Sequence, residues 1–154
     1  ARQTLSLRGI GAWDRILIIG MGAEREIIDV QMTGAAAART LLDEPGAVSV
    51  LASGMSAEIA AEFATGMGIG EYRSDIYRED ARDRDPLGAT TIVGAETGAQ
   101  AIYAQRGAAL IYAMAWTRDV SNEPANVIYP ESFVRRAREA FAGVRGVTIQ
   151  VLDE

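Results

Sequence analysis

The sequence predicts an α/β fold with a largely parallel sheet, and three observations carry that prediction. Short apolar runs rich in β-branched residues alternate with longer segments of helical apolar spacing, as when strands are joined through helices. The run Arg15-Ile16-Leu17-Ile18-Ile19-Gly20 is apolar without alternation, as expected of a strand buried on both faces in a sheet covered by helices. The chain has 154 residues, 49% hydrophobic and 23% charged, enough for one ordinary domain around a real core.

The elements follow in order. Thr4-Leu5-Ser6-Leu7-Arg8 alternates polar and apolar and predicts a strand broken by Gly9 and Gly11. Arg15 to Gly20 is the next strand. Residues 24–42 place Ile27, Ile28, Met32, Ala35, Ala36 and Leu42 at helical spacing, with Gly34 a weak point. Pro45-Gly46 marks a turn before the strand Ala47-Val48-Ser49-Val50-Leu51. Ser56 is a plausible N-cap for a helix running through Gly66, Gly68 and Gly70 to about Arg73, with Glu58 at its positive end. Three glycines at alternate positions imply close packing or a break more readily than a ligand site.

Residues 78–85 interleave Arg with Asp and Glu apart from Ala81, which reads as a solvated loop ending at Pro86. Thr90-Thr91-Ile92-Val93-Gly94 is a third inner strand. Residues 99–116 are small and apolar nearly all round, the mark of a helix that is buried or bridges two domains. After a connector, Pro130 suits a first helical position and Glu131 the first turn. Phe133, Ala137, Ala140 and Phe141 make that helix's apolar face, and Gly143 and Gly146 end it. Val147-Thr148-Ile149-Gln150-Val151-Leu152 alternates and predicts a last strand. The expected order is β-β-α-β-α-β-α, then α-β.

The net charge of −6 disfavours nucleic-acid binding, because an acidic surface repels the phosphate backbone. No run of 18 apolar residues implies a membrane span. The N-terminal segment lacks the continuous apolar core of a signal peptide. It begins without Met and reads as mid-strand, so either the start was processed or the chain is a fragment. Cys, His and Lys are absent, and all 15 cations are Arg. Thiol chemistry, imidazole bases, Schiff bases and the Walker A loop are thereby excluded. Carboxylates, hydroxyls and Arg remain.

Gly20-Met21-Gly22-Ala23-Glu24-Arg25 has the setting of a dinucleotide loop, but Arg25 stands where the third glycine belongs. A plain strand-to-helix turn is the better reading. Asp75, Glu79, Asp80, Asp83 and Asp85 could form a metal cluster. They are interleaved with Arg73, Arg78, Arg82 and Arg84, and their spacing fits no calcium loop. Glu58 and Glu62 lie four residues apart and could pair as carboxylates, though a wet helix face explains them. Trp13, Trp116, Tyr103 and Tyr112 are expected as core or interface aromatics.

The segment Trp116-Thr117-Arg118-Asp119-Val120-Ser121-Asn122-Glu123-Pro124-Ala125-Asn126-Val127-Ile128-Tyr129-Pro130-Glu131-Ser132, followed by Phe133-Val134-Arg135-Arg136-Ala137, contains strong loop formers and no glycine. Read physically, it is a well-defined connector between two helices. It resembles the segment that opens the catalytic domain of the leucine aminopeptidase (cytosol aminopeptidase) family. Upstream, Arg15 to Gly22, Thr33-Gly34-Ala35-Ala36-Ala37-Ala38 and the stretch from Phe63 to Tyr72-Arg73 are similar to parts of that family's N-terminal domain.

The resemblance implies a macro-domain-like N-terminal domain, partial over 1–96. A linker helix and connector follow over 97–129, and the truncated start of the catalytic domain over 130–154. It implies a cytoplasmic, hexameric metalloexopeptidase that removes N-terminal residues from peptides using two divalent ions, zinc, manganese or magnesium. The family's metal site needs Lys, and its Asn-Thr-Asp-Ala-Glu-Gly-Arg motif is absent here. No catalytic, cofactor-binding or metal-ligating residue is therefore assigned. The expectation is a non-catalytic piece of such an enzyme serving assembly, with no nucleic-acid or membrane partner. Two alternatives stand beside it. One is a free-standing macro-like module that binds a nucleotide or ADP-ribose-type ligand. The other is an interaction protein descended from a decayed enzyme.

Overall fold

A computed structural model describes residues 3–22, 26–44, 46–79 and 86–152. The elements are β1 (Thr4–Ile10), β2 (Trp13–Ile19), α1 (Ile27–Leu41), β3 (Val48–Leu51), α2 (Ala57–Glu71), β4 (Thr90–Val93), α3 (Ala99–Ile102), α4 (Ala108–Asn122) and α5 (Pro130–Ala140). A wide π-turn, Tyr103–Gly107, joins α3 to α4. The chain divides into two units, Ala1–Ala115 and Trp116–Glu154.

The fold is α/β, but its strands form two separate ladders rather than one parallel sheet. β1 and β2 make an antiparallel hairpin with Leu5 opposite Ile18 and Ile10 opposite Trp13. The tight reversal suits Gly11, whose φ of 61° is open to glycine. β1 continues through Gly9 instead of stopping there. β3 and β4 pair in parallel, Val48 with Thr90 through Leu51 with Val93.

The reading of β2 as buried on both faces is corrected. Leu17 and Ile19 pack towards the helices, whereas Ile18 is 52% exposed. A hairpin strand presents alternate residues to opposite sides, and only one side meets α1.

The first unit's core is the α1–α2 contact, built from Val30, Ala37, Ala38, Phe63 and Met67, with Leu87 added from the loop before β4. Small residues let these helices approach closely. A methyl group on Gly34 would lie 2.9 Å from the Met67 backbone nitrogen, and one on Gly70 would lie 2.5 Å from the Ala35 carbonyl oxygen. Of the three glycines expected to mean packing or a break, Gly66 and Gly70 lie on the backbone of α1, at Gln31 and Ala35. The expected inward face of α1 is corrected in part: Ala35 is buried and Leu42 packs on the core as expected. Ile27, Ile28 and Met32 are exposed, while Val30, Thr33, Gly34, Ala37 and Ala38 are buried. Buried Thr33 and Thr65 each donate to the carbonyl four residues back, on Asp29 and Ala61, so neither hydroxyl is left unsatisfied.

Ser56 caps α2 as expected, its Oγ accepting from the Ile59 amide at 3.3 Å. The helix runs uninterrupted through its glycines to Glu71. At the hairpin, exposed Arg8 pairs with Glu44, and Arg15 donates to the Thr40 carbonyl.

In the second unit, α5 starts at Pro130 as the sequence predicts. Ser132 is fully buried, accepts from the Tyr129 amide at 2.8 Å and is 2.9 Å from the Val127 carbonyl, to which it donates. Trp116 stands 6.3 Å from Phe133 and 6.4 Å from Phe141, so the apolar face of α5 meets an aromatic partner. Glu123 accepts from Arg136 at 2.8 Å across the connector. The last strand does not form. Residues 147–152 lie in no ladder, because a strand needs a neighbour to take its backbone groups, and none of the described residues supplies one.

Candidate functional site

The first unit contains an open cleft of about 800 Å³, within the size range of small-molecule sites. Its floor is α2, presenting Ala60, Ala64, Gly68 and Glu71. One wall is β4 with Thr90 and Ile92, and the other is α3 and the π-turn with Gln100 and Tyr103. The loop after β4 adds Glu96. Partial burial pushes the Glu71 carboxyl above the ordinary glutamate value. Among the described residues, the lining carries two carboxylates and no Arg. Such a surface disfavours phosphate and carboxylate ligands.

Beside the cleft, Glu62 is buried on α2, with its side chain only 3% accessible. Gln31 Nε2 donates to it at 2.6 Å, and Arg106 of the π-turn forms an ion pair with its other oxygen. The wet-face reading holds for exposed Glu58 and is corrected for Glu62. Glu62 points towards α1 and the π-turn, so it is held by partners and does not pair with Glu58. The sequence offered one missed signal: Arg106 is the one charged residue in the apolar stretch 99–116.

The other candidate residues do not converge. Gly20, Met21 and Gly22 are described, but Ala23, Glu24 and Arg25 lie outside the described residues, as does Pro45. Of the acidic loop, Asp80, Asp83 and Asp85, with Arg82 and Arg84, also lie outside them. Asp75 and Glu79 are described, and Arg73 donates to the Leu42 carbonyl at 2.9 Å. Trp13 and Tyr112 are exposed, so neither is a core residue here; Tyr103 lines the cleft. Among the described residues, no three His, Cys, Asp or Glu side chains come together as metal ligands. With no Lys, His or Cys in the sequence either, these residues do not fit the two-metal site that the resemblance implies. No helix among the described residues is long and apolar enough to cross a membrane.

No protein-family model matches the chain. A probable cytosol aminopeptidase of Methylorubrum populi is 34% identical over 152 residues, which cover 91% of this chain and 29% of that protein. One from Allorhizobium ampelinum is 30% identical over 151 residues, covering 92% and 30%. Among solved structures, the bottromycin maturation enzyme BotP in complex with Mn has a similar fold, with a TM-score of 0.71 and 27% identity, covering 90% of this chain and 30% of its own. The chain thus spans somewhat under a third of the length of the relatives it matches. A match in sequence across nine-tenths of the residues, joined to a shared fold, places this chain in the cytosol aminopeptidase (leucine aminopeptidase) family.

Proposed function

We propose that this chain is a non-catalytic part of a metal-dependent aminopeptidase, covering the latter half of a macro-like N-terminal domain, the linker helix and the first elements of the catalytic domain. The parent removes N-terminal residues from peptides in the cytoplasm. It draws on two divalent ions, zinc or manganese, bound by residues outside this chain, and assembles as a hexamer. The role of this piece is structural: it positions subunits and restricts access to the peptide-cleaving centre.

One observation carries the reading. The family match extends along 91% of the chain, yet the chain has no Lys with which to build the metal site that the resemblance implies. The Mn complex of BotP and the aminopeptidase names of the relatives support the metal and substrate class. The nucleotide-binding alternative gains nothing from the cleft, whose two carboxylates oppose a phosphate.

The test is the intact mass of the protein as its source cell makes it. A mass several times 16.4 kDa is expected. A mass near 16.4 kDa would overturn the reading and leave a binding or assembly protein in its place.

A further inference from the structure

The segment 99–111 is attached to the first unit in an uneven way. At its start, Gly98 adopts φ 105° and ψ −14°, a left-handed conformation that suits a pivot. Just before it, the Glu96 amide is anchored to the Met55 carbonyl at 3.2 Å. Beyond the pivot, α3 and α4 contain no buried residue, and the π-turn contains only Gly107. The segment is therefore not held by an apolar core of its own.

α3 lies along α2, and beyond it three contacts tie the π-turn and the start of α4 to the same helix. Arg106 pairs with buried Glu62. Gly107 lies against the Thr65 hydroxyl, where a methyl group would overlap it. Ile111 covers Gly68, and its Cγ1 would lie 3.1 Å from a methyl group there. Only the first contact carries a large directional term. A buried carboxylate needs its charge matched, and it loses that partner as soon as the segment lifts.

The π-turn is part of this arrangement. The Ala108 amide reaches back five residues to the Tyr103 carbonyl, which widens the helix where Arg106 and Gly107 meet α2. The same segment supplies Ala99, Gln100, Tyr103 and Ile111 to the cleft lining, so its position sets the distance from β4 across the cleft.

We infer that residues 99–111 are a hinged strap, pivoting at Gly98 and latched by Arg106 on Glu62, that governs the width of the cleft between itself and β4, over the α2 floor. The strap has two arrangements. Latched, the carboxylate is paired and the cleft is narrow. Released, water replaces Arg106 at Glu62 and the wall swings outward. This inference does not depend on the enzymatic reading of the parent.

The chain has no native cysteine, so spin labels on the Thr90→Cys, Gln100→Cys pair report the cleft width alone. The latched chain should give one narrow distance distribution. Arg106→Met should add a longer population. The double variant Glu62→Gln, Arg106→Met leaves no unmatched buried charge and should keep that longer population while regaining stability. A distribution unchanged in either folded variant would overturn the strap. Hydrogen exchange on the unsubstituted chain decides the matter without any variant. Amides in 99–111 should exchange at least about tenfold faster than those of α2 through local opening. Equal rates in the two segments would contradict a separately moving strap.

Discussion

Gly66 of α2 lies directly on the backbone of Gln31 in α1: a Cβ added to Gly66 would sit 2.7 Å from the Gln31 Cα. Backbone meets backbone there, so no side chain can turn aside to make room. Gly66→Ala should therefore destabilise the first unit by about 1–3 kcal/mol or more, as overpacking does. Gly46→Ala, where an added Cβ meets nothing within 4 Å, should change stability by less than about 0.5 kcal/mol. Urea unfolding of the two variants checks both. Equal effects would mean that the helices separate without cost.

Ser132 holds the entry to α5 from inside. Its hydroxyl serves the Tyr129 amide and the Val127 carbonyl while fully buried. Ser132→Ala strands both groups and should cost about 1–3 kcal/mol. The readout is Trp116 fluorescence in a Trp13→Phe background, since Trp116 packs near Phe133 and Phe141. An unchanged unfolding midpoint would show that the connector is fixed by something else.

Glu71 gives a pH dependence of definite sign. Burial raises its carboxyl in the folded chain above the ordinary value. The unfolded chain then releases this proton at lower pH than the folded one. The contribution of this group to stability falls as pH rises from the ordinary glutamate range through the raised folded value. Glu71→Gln should lack that fall, so its stability relative to the unsubstituted chain should increase across the same window. Parallel pH–stability curves would contradict a carboxyl raised by partial burial at this cleft.

Much of the fold was legible because its signals are local. Glycine-bounded apolar runs marked β2, β3 and β4. Ser56 marked the start of α2, and Pro130 that of α5. What the sequence concealed depends on which neighbours arrive. Ile27, Ile28 and Met32 are large and apolar, yet they are exposed, while Val30 of the same helix is buried. α1 meets α2 through Gly34, Ala37 and Ala38, and close backbone approach rewards small side chains that a hydrophobicity scale ranks low.

Glu62 was misread for a related reason. Its spacing from Glu58 suggests one wet face, but its partners, Gln31 and Arg106, stand 31 and 44 residues away in sequence. The segment 147–152 failed differently. Its alternation is a true strand pattern, and what is lacking among the described residues is a strand to pair with. The connector 116–132 was the most readable stretch for identity, because its order of Asn, Pro and acidic residues resembles one family. Its physics alone indicates only a well-defined connector between two helices. In the structure 116–122 continue α4 and 130–132 begin α5, so the non-helical part is shorter than the sequence suggested.

The chain belongs to the cytosol aminopeptidase family, and under the proposed function it carries none of the reaction's chemistry. The most direct measurement is the hydrolysis of leucine p-nitroanilide by the purified 154-residue chain, supplied with Mn²⁺ or Zn²⁺. The account predicts no release of p-nitroaniline above that of the metal ion alone. Metal-dependent turnover that rises in proportion to the amount of this chain would contradict it.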